Sequence, residues 1–587
     1  MSGIFAYIGR DEPSKLLLDG LAMLQHRGGE VNGVAVKVKD GFSTARAEGG
    51  IEELRKAAKK VADGSCGLAQ TSRQTRCRSE ISAAPSSNNM YAAVCDDSIQ
   101  NFNFLRRWSK EPFSINTDED LLLACLCITN SRDRIELTQK IKAALLGSPG
   151  FAFIASDECA VYACAGSSQL FVGTGEEGLF LSSELAPLFS TCDKYAVLKK
   201  SELVKLKTEK AQFFDEKGKK AKKSFIPMPD RVYYENDYSL SDEIYCCSVA
   251  AKEVYQRFAK NSKLNFDSVK LSKRSVERLS RIILVGEGSS YNSALYCRHM
   301  LEMMTDIPSF AYPAGEFRYA KGVIDKNTLV IAVSHRGDAP DTLACVSRAE
   351  SVGAKTLAVT GSDTSSLALL SDKLLFTGCD LSYGVSLRTF IGESLCLALL
   401  SLYIGVKDDV VTDLYLNVAI KMAEIISGKI ASAVKDNTAY VNAVNLISAA
   451  DTVYACGIGA DFSAAREAAD KMRRITGKSC FALTLGELAL YGENSLCGTT
   501  VLAFATNRDR APACDVMLSR IKTLGARVVL FTTESIEEDI TAFDTVISVN
   551  DTLPIYNPLP CVAASYKLSM MLESAKEKSG EAEPAAS

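Results

Sequence analysis

One pattern is written twice in this chain, and that repeat limits the possible folds more than any other feature. Ile282-Ile283-Leu284-Val285-Gly286-Glu287-Gly288-Ser289-Ser290 returns as Val453-Tyr454-Ala455-Cys456-Gly457-Ile458-Gly459-Ala460-Asp461, at an offset of 171 (457 − 286). At the same offset Gly315-Glu316-Phe317 meets Gly486-Glu487-Leu488, and Leu329–Val333 meets Thr500–Phe504. After one inserted residue the offset is 172: Gly353-Ala354-Lys355 meets Gly525-Ala526-Arg527, and Ser371-Asp372 meets Phe543-Asp544. Short apolar, β-branched runs alternate with longer helical patterns. That alternation predicts a parallel sheet with helices on both faces, built once in residues 242–410 and again in 411–575.

The turn after the first strand is chemically suggestive. A buried strand that passes through Gly286, Gly288, Ser289 and Ser290 into a helix leaves backbone N–H groups at the helix start. Those groups, the helix dipole and two hydroxyls favour an anion. The same residues also fit a plain tight turn with Ser290 as an N-cap. A dinucleotide fingerprint is excluded, because its third glycine would fall on Tyr291 in one copy and Phe462 in the other. Thr476-Gly477-Lys478-Ser479 imitates the end of a phosphate loop. Its first glycine would have to be Met472, and the run follows a helix, so it is set aside.

Composition closes off several classes. A net charge of −4 over 587 residues gives no footprint for nucleic acid. No run of 18 apolar residues occurs, and the most apolar stretch, Leu395 to Val406, suits a buried helix; no membrane partner is expected. No signal peptide opens the chain, and 19 cysteines without regular pairing read as reduced thiols of a cytoplasmic protein. With three histidines and no Cys-x-x-Cys, neither a metal site nor a cofactor is expected. Residues 1–225 follow an α+β pattern. A strand begins at the N-terminus, a helix spans Leu16 to Leu24, and hairpins are expected at Gly150–Ala155 with Ala160–Ala163 and at Leu170–Gly173 with Gly178–Ser183. Residues 226–241 read as a linker and 576–587 as a disordered tail.

Taken together, these motifs resemble the glutamine–fructose-6-phosphate aminotransferase family, the glucosamine-6-phosphate synthases. Ser2-Gly3-Ile4, Leu24-Gln25-His26-Arg27-Gly28-Gly29 and Thr117-Asp118 resemble its N-terminal-nucleophile glutaminase. Gly286 to Ser293, Glu316-Phe317-Arg318-Tyr319 and Ser334-His335-Arg336-Gly337-Asp338 resemble its first sugar-isomerase domain. Ala465 to Ile475 and Gly486-Glu487-Leu488 resemble its second. The resemblance implies a class II glutaminase-like α+β domain followed by two αβα sugar-isomerase domains. It also implies a sugar-phosphate ligand and a homodimer.

The family's chemistry matches less well than its fold. Its nucleophilic cysteine falls on Ser2, which with a free α-amino base would still be a workable nucleophile. Its arginine for the glutamine carboxylate falls on Ser72, unless Arg73 takes its place, and the Asn-Gly of its oxyanion hole falls on Asp96-Asp97. A carboxylate there opposes the developing negative charge, and losing one oxyanion donor alone costs about 3 kcal/mol. Thr75 and Asp118 remain as remnants of the glutamine site. In the sugar half, Ser289, Ser290, Ser334 and Ser386 match the family's phosphate loops, and Arg336 and Arg388 add guanidinium groups suited to phosphate. The family's proton-moving glutamate falls on Arg474, which cannot act as a base; Glu467 and Lys471 keep their positions. The ring-opening histidine falls on Leu490, and the imine-forming lysine of the tail has no counterpart. The expected protein therefore binds a sugar phosphate or related anion with the glutaminase and isomerase chemistry lost, acting as a regulator, a sensor or a partner of a true synthase. The alternatives are a divergent active aminotransferase, a glutamine-independent phosphosugar isomerase or deglycase, and a purely structural subunit.

Overall fold

The computed structural model describes residues 2–10, 13–72, 85–109, 115–129, 131–147, 149–166, 169–228, 239–260, 263–379, 385–435 and 438–579. The chain divides into two compact units, residues 1–234 and 235–586.

The first unit holds two antiparallel sheets, one of eight strands and one of seven. Its opening strand, Gly3–Gly9, is buried on both faces because side chains alternate across a strand. Ile4, Ala6 and Ile8 face the second sheet and pack with Val94 and Ile154. Phe5 and Tyr7 face the other way, onto Leu17 and Leu21 of helix Pro13–Ala22. Helices Phe102–Ser109, Asp118–Thr129 and Arg134–Ala144 cover the seven-stranded sheet. Both expected hairpins form: Phe151–Ala155 pairs antiparallel with Val161–Cys164, and Leu170–Thr174 with Gly178–Ser182. The span expected as a linker begins differently, since Ile226–Pro227 is an edge strand against Tyr195.

The second unit opens with helix α1 (Leu240–Phe258), which starts in a capping box between Ser239 and Asp242. The first copy has strands β1 (Arg281–Gly286), β2 (Ser309–Pro313), β3 (Thr328–Val333), β4 (Lys355–Thr360) and β5 (Lys373–Phe376). They form a parallel sheet in the order β2-β1-β3-β4-β5. Helix α2 (Gly288–Met304) follows β1, and helix α3 (Arg388–Lys407) follows β5. The second copy repeats this with β6 (Val453–Gly457), β7 (Cys480–Thr484), β8 (Thr500–Phe504), β9 (Arg527–Thr533) and β10 (Thr545–Val549). Its parallel order is β7-β6-β8-β9-β10. Helix α4 (Ala460–Thr476) follows β6, and helix α5 (Pro558–Ser579) closes the unit. Helix α5 takes in the first four residues of the expected tail, 576–579, and 580–587 lie outside the described residues.

The duplication holds at the level of single contacts. Asp372 accepts the N–H of Thr356 at 3.0 Å, and Asp544 accepts that of Val528 at 2.7 Å, which is the 172 offset repeated in hydrogen bonds. A Cβ on Gly286 would lie 2.8 Å from the Ser290 backbone, and one on Gly457 would lie 2.6 Å from that of Asp461. Only glycine lets the strand end approach the next helix this closely. The two copies share one core, in which Tyr296 and Leu397 join Ala464, Ala468, Leu559 and Tyr566. Among the described residues α3 alone is long and apolar enough to cross a membrane, yet 89% of its apolar window is buried in this core. Each of Leu395, Leu397, Leu399, Leu400 and Leu402 is fully buried there, a contribution of about 1.5–3 kcal/mol per side chain.

Candidate functional site

In a parallel sheet of order 2-1-3-4-5 the chain leaves strand 1 in one direction and strand 3 in the other, opening a crevice beyond their carboxyl ends. In the first copy that crevice lies between β1 and β3. Its walls are the β1–α2 turn, with Ser289 and Ser290, and the loop after β3, with Ser334, His335 and Arg336. Helix α2 begins at Gly288, whose φ is +54°, so Glu287 stands at the N-cap position and no side chain caps the helix. Ser290 is therefore not the cap. Both serines sit in the first turn, beside N–H groups that the helix itself cannot satisfy.

Two buried carboxyl groups meet these hydroxyls. Ser290 donates to Oε1 of Glu393 at 2.9 Å, and Ser289 donates to Oε1 of Glu467 at 3.0 Å. Glu467 is fully buried and has further partners in Asn292 Nδ2 at 2.8 Å, Tyr566 Oη at 3.1 Å and Lys471 Nζ at 3.5 Å. Burial pushes the Glu393 carboxyl up to about 8, against the lowering effect of its serine hydrogen bonds. Nothing in the sequence pattern marks Glu393, because its partner Ser290 stands 103 residues away.

The other expected ligands divide. Ser334 is buried, and its N–H donates to Val359 at 3.0 Å, which ties the β3 loop to β4. Ser386 accepts from Thr389 at 2.7 Å at the start of α3. Arg336 reaches Asp338 at 3.9 Å and keeps 38% of its side chain exposed. Arg388 is committed elsewhere. Its Nη2 lies 2.7 Å from Oε1 of Glu243 on α1, with both side chains almost fully buried, and Glu243 Oε2 accepts the Leu387 N–H at 2.8 Å. The guanidinium expected on a phosphate thus docks α3 onto α1. Arg474, which the resemblance aligns with the family's proton-moving glutamate, pairs with Asp470 at 3.0 Å, and Leu490 is 83% exposed.

In the second copy the corresponding crevice, between β6 and β8, is filled by the protein itself. Asp461 stands where Ser290 stands in the first copy. Its carboxylate accepts the Thr506 N–H at 3.0 Å and the Thr506 hydroxyl at 2.5 Å. Arg510 covers the glycine turn, donating to the Ile458 carbonyl at 3.0 Å. Burial raises the Asp461 carboxyl above its ordinary range, opposed by the two Thr506 bonds.

In the first unit the backbone N–H of Ser2 donates to the Asp96 carbonyl at 2.8 Å. Asp96 is buried, Oδ1 accepts the Gly150 N–H at 2.6 Å, and Oδ2 has no partner among the described residues. Burial pushes this carboxyl up to about 7 although Arg27 pulls it down. Asp118 is also buried and accepts the Ile99 N–H at 3.0 Å. Thr75 lies outside the described residues. Among the described residues no group of histidine, cysteine and carboxylate side chains is arranged to hold a metal ion.

The model of the SIS domain family matches residues 277–377, which span the β1–β5 sheet and its glycine-serine turn. Over its length the chain is similar to the glutamine–fructose-6-phosphate aminotransferase (isomerizing) of Clostridium acetobutylicum, at 28% identity over 97% of each chain. It is 26% identical to the protein of the same name from Caldanaerobacter subterraneus subsp. tengcongensis, again over 97% of each. Among solved structures, the C-terminal domain of glucosamine-fructose-6-phosphate aminotransferase from Francisella tularensis matches with a TM-score of 0.53 at 21% identity. That match covers 57% of this chain and 96% of that one, and it speaks for the fold. With an antiparallel α+β domain followed in sequence by a duplicated αβα unit, and with relatives matched end to end at this level of identity, the chain is similar throughout to the glutamine–fructose-6-phosphate aminotransferases, a family-level match consistent with a divergent member.

Proposed function

We propose that this protein binds a hexose phosphate in the β1/β3 crevice of its first αβα copy and does not carry out the aminotransferase reaction of its relatives. The observation that carries the reading is the contrast between the two copies. The first leaves the switch-point turn lined by Ser289, Ser290 and Ser334, with Arg336 beside it, whereas the second closes the same turn with Asp461 on Thr506. In this reading the phosphate takes the α2 N–H groups and the serine hydroxyls, Arg336 supplies charge, and Ser386 approaches from the α3 start. Arg388 acts through Glu243, as a positioning residue.

Loss of catalysis is supported separately in each unit. In the first, Asp96, which the resemblance aligns with the family's oxyanion donors, is a buried carboxyl. In the second, Glu467 is saturated by four polar neighbours and Arg474 is held by Asp470. A role as regulator, sensor or partner of a true synthase follows from binding without turnover, and a homodimer in a reducing cytoplasm belongs to the same reading. The described cysteines, free and mostly buried, fit that compartment. The proximity of Glu467 to Lys471 favours a glutamine-independent isomerase as the second reading.

One experiment separates these possibilities. The full chain is titrated calorimetrically with fructose 6-phosphate and glucosamine 6-phosphate, and the mixtures are then assayed for interconversion and for glutamate release from glutamine. Saturable heat without turnover is expected. Absence of heat with any hexose phosphate at millimolar concentration overturns the binding reading, and turnover abolished by Glu467→Gln establishes the isomerase instead.

A further inference from the structure

A cavity of about 530 Å³ opens where the start of α2, at Gly288 and Asn292, faces α4 and the edge strand β7. Its volume falls within the range of small-molecule pockets, about 300–1,000 Å³. Its walls are aromatic: Tyr291 from α2, Tyr454 from β6, Phe481 from β7 and Tyr491 beyond. Tyr454 and Tyr491 meet edge to face, with centroids 5.8 Å apart, and Phe481 is 51% exposed. Its charge is positive. Arg473 and Arg474 both lie on Asp470, at 3.3 and 3.0 Å, so that carboxylate is already neutralised twice. Arg466 has no carboxylate partner among the described residues. Its guanidinium lies over the Tyr291 ring, 5.2 Å from the centroid, and its Nε donates to Asn292 Oδ1 at 3.2 Å.

Aromatic walls favour a planar group, and a guanidinium with unspent donors favours a phosphate. No serine or threonine lines this cavity to read sugar hydroxyls, which separates its chemistry from that of the β1/β3 crevice. The geometry points to a second ligand site that takes a mononucleotide, with the base among Tyr454, Phe481 and Tyr491 and the phosphate on Arg466, beside an Arg473 already engaged by Asp470 and the Cys480 carbonyl. Asn292 joins this site to the crevice. Its Oδ1 accepts from Arg466, and its Nδ2 donates to Glu467, the carboxylate that also takes the Ser289 hydroxyl. A phosphate that draws Arg466 toward the cavity loosens Asn292 and with it the hold of Glu467 on Ser289. This coupling rests on the phosphosugar reading; the nucleotide site itself does not.

The test is calorimetric titration of the full chain with uridine and adenosine monophosphates, with inorganic phosphate and a hexose 6-phosphate as separate arms. Saturable nucleotide binding is expected, at least tenfold tighter than inorganic phosphate. Arg466→Gln should weaken it at least tenfold. Tyr491→Leu should weaken it at least fivefold while leaving the hexose phosphate titration unchanged, and it serves alone if the arginine variant does not fold. Saturating nucleotide should shift hexose phosphate affinity, and the reverse shift should have the same factor. The site is overturned by absence of saturable heat at millimolar nucleotide, by phosphate binding as tightly as nucleotide, or by a folded variant that titrates like the parent chain. If nucleotide binds and hexose phosphate does not, the site stands and the phosphosugar reading falls.

Discussion

Glu393→Gln tests the electrostatics of the proposed phosphate site. Glu393 is 1% exposed, and burial pushes its carboxyl up to about 8, so it is mostly neutral at pH 7. A neutral acid can donate its own proton to the Ser290 oxygen, which frees the serine hydroxyl to donate to a phosphate. Once ionised, the carboxylate claims that hydroxyl and faces the phosphate across it. The Ser290–Glu393 contact is 2.9 Å, and a second hydrogen bond beyond the hydroxyl puts the two charges about 5 Å apart. At an effective dielectric of about 20 this is a repulsion of about 3 kcal/mol per unit charge, or about two orders of magnitude in affinity. With the ionised form so weakened, apparent hexose phosphate affinity should fall about tenfold per pH unit above about 8, roughly 30-fold by pH 9.5. Glutamine keeps the donor to Ser290 and cannot ionise, so the variant should hold its affinity across that range. Calorimetry at pH 6.5, 8 and 9.5 on both proteins measures the difference. Identical pH profiles for parent and variant would refute the reasoning.

Three further outcomes follow from buried groups. The Asp96 carboxyl is pushed up to about 7 from an ordinary 3.8, so its contribution to stability is full at low pH and is lost as pH rises through about 7. Asp96→Asn should therefore flatten the thermal midpoint between pH 4 and 7, and a slope unchanged from the parent chain would count against the assignment. Glu243→Ala removes the carboxylate that answers the buried Arg388 and should cost about 3–5 kcal/mol by thermal or denaturant melting, whereas replacing both by apolar residues should recover most of that loss. Asp461→Ala leaves the Thr506 N–H and hydroxyl unanswered and should cost about 1.5–3 kcal/mol, read as a lowered midpoint; an unchanged midpoint would show that the second crevice does not depend on its own carboxylate.

The architecture of the second unit and the hairpins of the first could be read along the chain. Strand, small-residue turn and helix are local signals: four apolar residues before Gly286, a helical run after it, and the same spelling at an offset of 171. The same signals placed Ser289, Ser290 and Ser334 on turns after strands, and the strand order of the fold sets those strands side by side. What each polar side chain does there was decided by tertiary structure. Arg388 and Ser386 stand two positions apart in the chain, yet α1 brings Glu243 to the arginine from 145 residues away. Glu393 reads as an ordinary helical glutamate until the fold buries it against Ser290. Asp461 reads as a missing serine until Thr506 closes on it from 45 residues further on. Charge and hydrogen-bond pairing act through space over a few ångströms, and burial alters what a carboxyl group is at neutral pH. Neither distance nor burial is written in spacing along the chain.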